Sequence, residues 1–297
     1  MKKIFLLLMV LFPLTAQARL NVVATIPDLA AIAQEIGGDL ATVKSLCRGD
    51  QDPHYLEPKP SFAVAMNRAD LLIEVGLELE TGWLPVLLTQ SRNPKIQRGA
   101  AGHLDASVGI PVLEIPVGKI DRSVGDVHPL GNPHYLLGPG NGLIVARKIA
   151  EKLSELDPAN SAVYSANRTK FESRLRQKIS GWERAAAPLR GRPIISHHKS
   201  FSYFVHWTGM KVEGLIEPKP GIPPPPAHIK NLIQTISDRK ITLIIAENFY
   251  DPKPAREISK KTGATALILP GMVGGEAEIK TYADLFDFLI NQIKEAP

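Results

Sequence analysis

Three of the eight histidines share a local setting suited to metal chemistry: Asp52-Pro53-His54-Tyr55, Asn132-Pro133-His134-Tyr135 and Ser196-His197-His198-Lys199-Ser200. Neutral imidazole is a borderline ligand that suits zinc, with Zn–N near ~2.0 Å, and three of them leave one place in a tetrahedral shell. Proline before His54 and His134 narrows the backbone choices and helps hold each ring. The three lie 80 and 64 positions apart. That is unlike a compact zinc finger or a His-Glu-x-x-His helix, so they can act together only if the fold gathers them. Read singly, each has the ordinary alternative of a surface or core histidine.

The elements that must do the gathering alternate between apolar β-branched runs and helical patterns, the signature of βαβ units and mostly parallel sheets. Strands are predicted over 20–26, 42–47 and 71–75, with helices over 27–37 and 61–70 between them. A Pro- and Gly-rich stretch follows, then a helix over 141–156 with Leu143, Ala146, Ile149, Ala150 and Leu153 on one face. A second set begins near Arg192: strands over 193–196, 211–216, 241–246 and 265–269, with helices over 200–208, 226–238, 252–262 and 281–294. Between the sets, a continuous helix is predicted from Pro158 to Ala187. Asp157 would be its N-cap, and Phe171, Leu175, Ile179 and Trp182 its apolar stripe. The predicted fold is α/β: two lobes at 19–156 and 190–297 joined by one long backbone helix at 157–189, with the site in the cleft between them. Parallel strands place ligands at their carboxyl ends, where all three histidines are expected.

At the amino terminus Lys2 and Lys3 precede an apolar run over 4–14, and Ala16-Gln17-Ala18 supplies a small-x-small cleavage site. Residues 1–18 are therefore read as a secretory signal, with export to the periplasm. The apolar run is shorter than the ~20 residues a permanent span needs. The single cysteine, Cys47, excludes an internal disulfide framework and lies far from the cleavage point, so no lipid anchor is expected. Formal charge is +5; two of those positives leave with the signal, giving +3 for a chain of 279 residues. The basic residues are scattered, so nucleic acid is not an expected partner, and a monomer is.

Several ordered motifs give the chain a resemblance. Asp-Pro-His-Tyr-Leu-Glu-Pro-Lys-Pro-Ser at 52–61, Gly-Asn-Pro-His-Tyr at 131–135, Leu-Asp-Pro-Ala-Asn at 156–160, His-Lys-Ser-Phe at 198–201, Glu-Pro-Lys-Pro-Gly-Ile-Pro at 217–223 and Ala-Glu-Asn-Phe-Tyr at 246–250 are similar to those of the zinc- and manganese-binding solute receptors of bacterial ABC importers, the cluster A-I family. The resemblance implies two α/β lobes, a long connecting helix and a periplasmic receptor that hands a metal ion to a membrane permease. By position it implies His54, His134 and His198 as ligands. Histidine rather than glutamate in the third place points to zinc over manganese.

The departures are specific. Family members usually finish the site with an aspartate after the last strand, whereas this chain has Pro270-Gly271-Met272-Val273-Gly274-Gly275. The fourth position then falls to Glu247 or to water, with Glu247 alternatively supporting a ligand's remaining ring nitrogen. His128 is read as an exposed loop residue, with an accessory ligand as the alternative. His197 is expected to face the opposite side of the chain from His198, and His103, His206 and His228 are assigned to surface or ordinary packing. Two rival functions stand beside the receptor. A secreted zinc hydrolase would use three histidines and a water, but no His-Glu-x-x-His or nucleophile elbow accompanies them; the other rival is a metal-binding adhesin.

Overall fold

The computed structural model describes residues 19–117, 128–219 and 221–297; the expected signal at 1–18 lies outside them. Two four-stranded, all-parallel sheets organise the chain. The first contains β1 (Leu20–Ala24), β2 (Ala41–Ser45), β3 (Leu71–Glu74) and β4 (His103–Asp105) in the order β2-β1-β3-β4. The second contains β5 (Pro193–Ser196), β6 (Lys211–Leu215), β7 (Leu243–Glu247) and β8 (Thr265–Leu269) in the order β6-β5-β7-β8. The two orders are the same. In each sheet the chain steps outward from the first strand and then reverses to its other side, so the crevice at the carboxyl ends of β1 and β3, or of β5 and β7, is a natural ligand position. The inner strands are covered on both faces and read as unbroken apolar runs: Leu71, Leu72 and Ile73 in β3, and Leu243 to Ala246 in β7, are fully buried.

Helices α1 (Pro27–Gly37) and α4 (Asn141–Leu156) turn Leu29, Ile32 and Ile36, and Val145, Ile149 and Leu153, into the core at helical spacing. The expected helix between the lobes is α5 (Ser161–Ala186), a run of 26 residues preceded by a 3₁₀ turn at Pro158–Asn160 and followed by another at Ala187–Leu189. At 1.5 Å per residue it spans roughly 39 Å. Asp157 does not cap it as expected: its carboxylate accepts from Asn160 Nδ2 and Tyr164 Oη at 2.6 and 2.8 Å, bracing the first turn through side chains. Tyr164, Phe171, Leu175 and Trp182 are buried along α5.

This helix is fastened to both halves. Asn167 donates to the Ile36 carbonyl at 3.0 Å and Arg174 pairs with Glu35, both on α1. Trp182 Nε1 and Lys178 reach Asp287 at 2.8 and 2.7 Å on the terminal helix α9 (Tyr282–Glu295), which opens on a capping box between Thr281 and Asp284. One hydrophobic core accordingly runs through both sheets, α1, α4, α5 and α9, while a smaller cluster lies on the far side of each sheet.

Two elements escaped the sequence pattern. Helix α3 (Leu84–Ser91) is a short, weakly amphipathic segment after the α2 (Pro60–Asn67) and β3 units, and β4 is only three residues long in a Gly-rich stretch. The second half adds α6 (Ser202–Thr208), α7 (Pro226–Asp238) and α8 (Lys253–Thr262), as expected within a few residues. A 3₁₀ turn at Lys199–Phe201 precedes α6.

Candidate metal centre

His54 and His134 sit on two copies of the same turn. Asp52 Oδ1 accepts from the His54 amide at 2.9 Å, and Asn132 Oδ1 accepts from the His134 amide at 2.9 Å, each across an intervening proline. This Asx turn mimics a backbone turn and fixes the histidine's main chain. The first copy is locked by Trp83, whose indole donates to the Pro53 carbonyl at 2.9 Å. The second is locked from the other lobe: Asn132 Nδ2 donates to the Lys199 carbonyl at 2.9 Å, and Tyr203 Oη to the Asn132 carbonyl at 2.9 Å. His198 is the second residue after β5, its carbonyl accepting from Ser196 Oγ at 2.7 Å.

These loops bring the three histidines together. One ring nitrogen from each of His54, His134 and His198 lies within 4.8 Å of the others. Ring centroids form a near-equilateral triangle with sides of 5.1, 5.8 and 5.8 Å. Carboxylates orient two of the rings. His54 Nδ1 contacts Asp52 Oδ1 at 2.7 Å and His198 Nδ1 contacts Glu217 Oε2 at 3.1 Å, which leaves Nε2 of both rings for another partner. Glu217 is itself held by the Gly221 amide at 2.9 Å. Burial pushes the Asp52 carboxyl up, but hydrogen bonds and charge from His54 outweigh it and leave it below the usual range.

His134 has no such carboxylate. Its Nε2 is buried without a hydrogen-bond partner. Burial, reinforced by His54, His198 and His128, holds its pKa well below that of a free imidazole, so it stays neutral at pH 7. A buried ring nitrogen with nothing to bond demands an explanation, and a cation that accepts its lone pair supplies one.

Glu247 ends β7, fully buried, with neither carboxylate oxygen hydrogen-bonded. Burial raises its pKa, opposed by the neighbouring His198 and the Ser200 hydroxyl. It lies outside the set of ligand atoms that share the 4.8 Å spread.

The remaining histidines divide. His197 stacks on Tyr250 at 4.6 Å with planes 16° apart, and the same Tyr250 ring lies 5.9 Å from that of His198. His103 is more than ordinary packing: its Nε2 meets Glu74 Oε1 at 3.0 Å in a buried pair. His228 donates to the Leu215 carbonyl at 2.8 Å, and His206 is exposed. His128 is not the exposed loop residue expected from sequence. It is half-buried, and its Nε2 stands 3.2 Å from His54 Nε2. Its proximity matches the alternative reading of His128 from sequence, whereas the roles of Asp52 and Glu217 were missed. The carboxylate two residues before His54 was the one signal available.

Comparison with known proteins agrees with this architecture. The iron-binding protein YfeA of Yersinia pestis is 27% identical over 295 residues, covering 95% of this chain and 87% of that protein. The manganese ABC transporter substrate-binding lipoprotein PsaA of Streptococcus pneumoniae is 28% identical over 254 residues, covering 84% and 78%. The crystal structure of a ZnuA deletion mutant with zinc bound superposes with a TM-score of 0.77 at 27% identity, over 94% of this chain and 98% of that one. The family model described as ZnuA, the periplasmic component A of a zinc-uptake complex, matches residues 22–296. With nearly the whole described chain inside that match, the protein belongs to the ZnuA family of metal-binding substrate receptors for ABC transporters.

Proposed function

We propose that this receptor captures zinc in the periplasm and delivers it to the membrane permease of an ABC importer, with His54, His134 and His198 as its nitrogen donors. Members of the family are receptors, not enzymes. The observation that carries the reading is the convergence of three ring nitrogens within 4.8 Å, one of them buried and unpartnered. The relatives are named for iron and manganese as well as zinc, so the metal must be argued from the donor set. Three imidazoles favour a borderline ion such as zinc, whereas manganese prefers an oxygen-rich shell. Asp52 and Glu217, both half-buried, raise the basicity of their imidazoles and balance the ion's charge. Cys47 is buried, with its thiol donating to the Arg48 and Gln51 carbonyls, and is not placed to carry an acyl chain; free diffusion in the periplasm is part of the proposal.

Release should come from the loops more than from the lobes. A core shared by both sheets and helices α1, α4, α5 and α9 resists rigid rotation, while His54, His134 and His198 all ride on loops. Titration of the metal-free protein with zinc, with manganese as competitor, tests the assignment. One zinc per chain is expected, with preference over manganese. His54→Ala, His134→Ala and His198→Ala should each weaken zinc by more than about 100-fold, beyond the 10–100-fold typical of losing a residue that merely supports a ligand. Equal binding of manganese, or unchanged affinity in any variant, defeats the corresponding part.

A further inference from the structure

We infer that His128 supplies a fourth imidazole to the ion, making the site an all-nitrogen tetrahedron; this rests on the zinc-receptor reading above. The motif carrying His134 stops one ligand short of a closed shell, and the loop after β8, at Pro270 to Gly275, offers no carboxylate. Glu247, buried at the end of β7, and His128 both lie outside the 4.8 Å set of ligand atoms, but His128 Nε2 stands 3.2 Å from His54 Nε2. His128 is the group that stands beside them.

The distance is informative. Two nitrogens on one tetrahedral zinc, each at about 2.0–2.1 Å, must be about 3.3 Å apart. His54 Nε2 and His128 Nε2 are separated by 3.2 Å, with their rings 5.2 Å apart and inclined by 30°. That is already one edge of the polyhedron.

The proton inventory supports the same pairing. His54 donates from Nδ1 to Asp52 at 2.7 Å, so its Nε2 carries a lone pair. In the metal-free state His128 must then donate its own Nε2 proton across the 3.2 Å gap. When an ion arrives, His128 moves that proton to Nδ1 and presents Nε2 as a second lone pair facing the same point. One N–H···N contact is exchanged for two N–metal bonds, and no net proton need leave the pair.

His128 lies near His54 but outside the 4.8 Å set that His54 forms with His134 and His198. Coordination therefore draws its side chain inward. The other edges shorten as well, since atoms up to 4.8 Å apart must approach the tetrahedral spacing. The His128 carbonyl accepts from the Gly131 amide at 3.1 Å. Gly131 has φ near 102°, a conformation that glycine alone adopts readily, and turns the chain from His128 back toward Asn132 and His134.

The test uses the full-length chain with ring-¹⁵N-labelled histidine, loaded with zinc, together with chelator competition and the visible spectrum of the cobalt(II)-substituted protein. Four coordinated imidazoles are expected in the native chain and three in His128→Ala. The variant should bind zinc about 10-fold or more weakly, with an altered cobalt spectrum and an unchanged fold by circular dichroism. Three coordinated imidazoles in the native chain overturn the inference. So does a His128→Ala affinity within about twofold of native, or a loss seen in Glu247→Gln but not in His128→Ala. Failure of the native chain to bind zinc at all would instead remove the receptor reading on which this one stands.

Discussion

Glu74 and Glu247 occupy the same place in two sheets of the same strand order, each the last residue of the strand beside the first, yet they live in opposite ways. Glu74 is saturated. Its two oxygens meet His103 at 3.0 Å and Arg98 at 3.0 Å, and although burial pushes its carboxyl up, those partners hold it below the usual range. Glu247 has no hydrogen-bond partner, and burial leaves its pKa raised. A third buried carboxylate, Glu80, just beyond β3, takes the intermediate course of accepting backbone amides from Val75 and Gly76 at 2.7 and 3.2 Å. The repeated topology puts acids at strand ends in both lobes. What surrounds them separates the hydrogen-bonded Glu74 and Glu80 from Glu247, whose charge burial disfavours, because a buried unpaired charge persists only where something offsets it.

The contrast can be broken by substitution. Glu74→Ala strands His103 in a dry site and should destabilise the protein by about 3 kcal/mol, discounted from a fully buried pair because Arg98 is half exposed. Glu247→Gln should leave the metal-free protein at least as stable as native. Thermal unfolding of both metal-free variants checks this, and equal destabilisation would erase the distinction.

Glu80 sharpens it through pH. Burial raises its pKa from 4.5 to about 7, so the unfolded chain loses this proton before the folded one does. Stability from this group is therefore fully present below about pH 4.5 and declines until about pH 7, a loss on the order of 3 kcal/mol. Glu80→Gln should flatten that part of the stability–pH profile. A profile as steep as native would show that another group is responsible.

The smallest expected effect concerns the carboxylates behind the ligands. Asp52→Asn and Glu217→Gln should each reduce zinc affinity by roughly 10-fold without changing stoichiometry. Competition with a chromophoric chelator measures it. If either variant loses zinc completely, the carboxylate itself would be a ligand.

Much of this was legible in the chain. Apolar runs and helical spacing marked seven of the eight strands and the long α5, because those signals come from periods of 2 and 3.6 residues that need no tertiary context. The Asx-Pro-His turns at 52–54 and 132–134 were equally local, built from a side chain reaching two residues along. Strand β4 and helix α3 were too short to impose a period. The N-cap role expected of Asp157 gave way to a neighbouring 3₁₀ turn and side-chain contacts.

The sequence by itself determined the alternation of strands and helices and the turns that hold His54 and His134. It could not determine that residues 80 and 64 positions apart share a pocket, that His128 stands 3.2 Å from His54, or that Glu74 finds cations while Glu247 does not. Local preference acts over a few bonds, and the entropy of closing a loop changes only slowly with its length, so spacing along the chain says little about which distant groups meet. The shared core packed around α5 made that choice, bringing the loops of both lobes to one point.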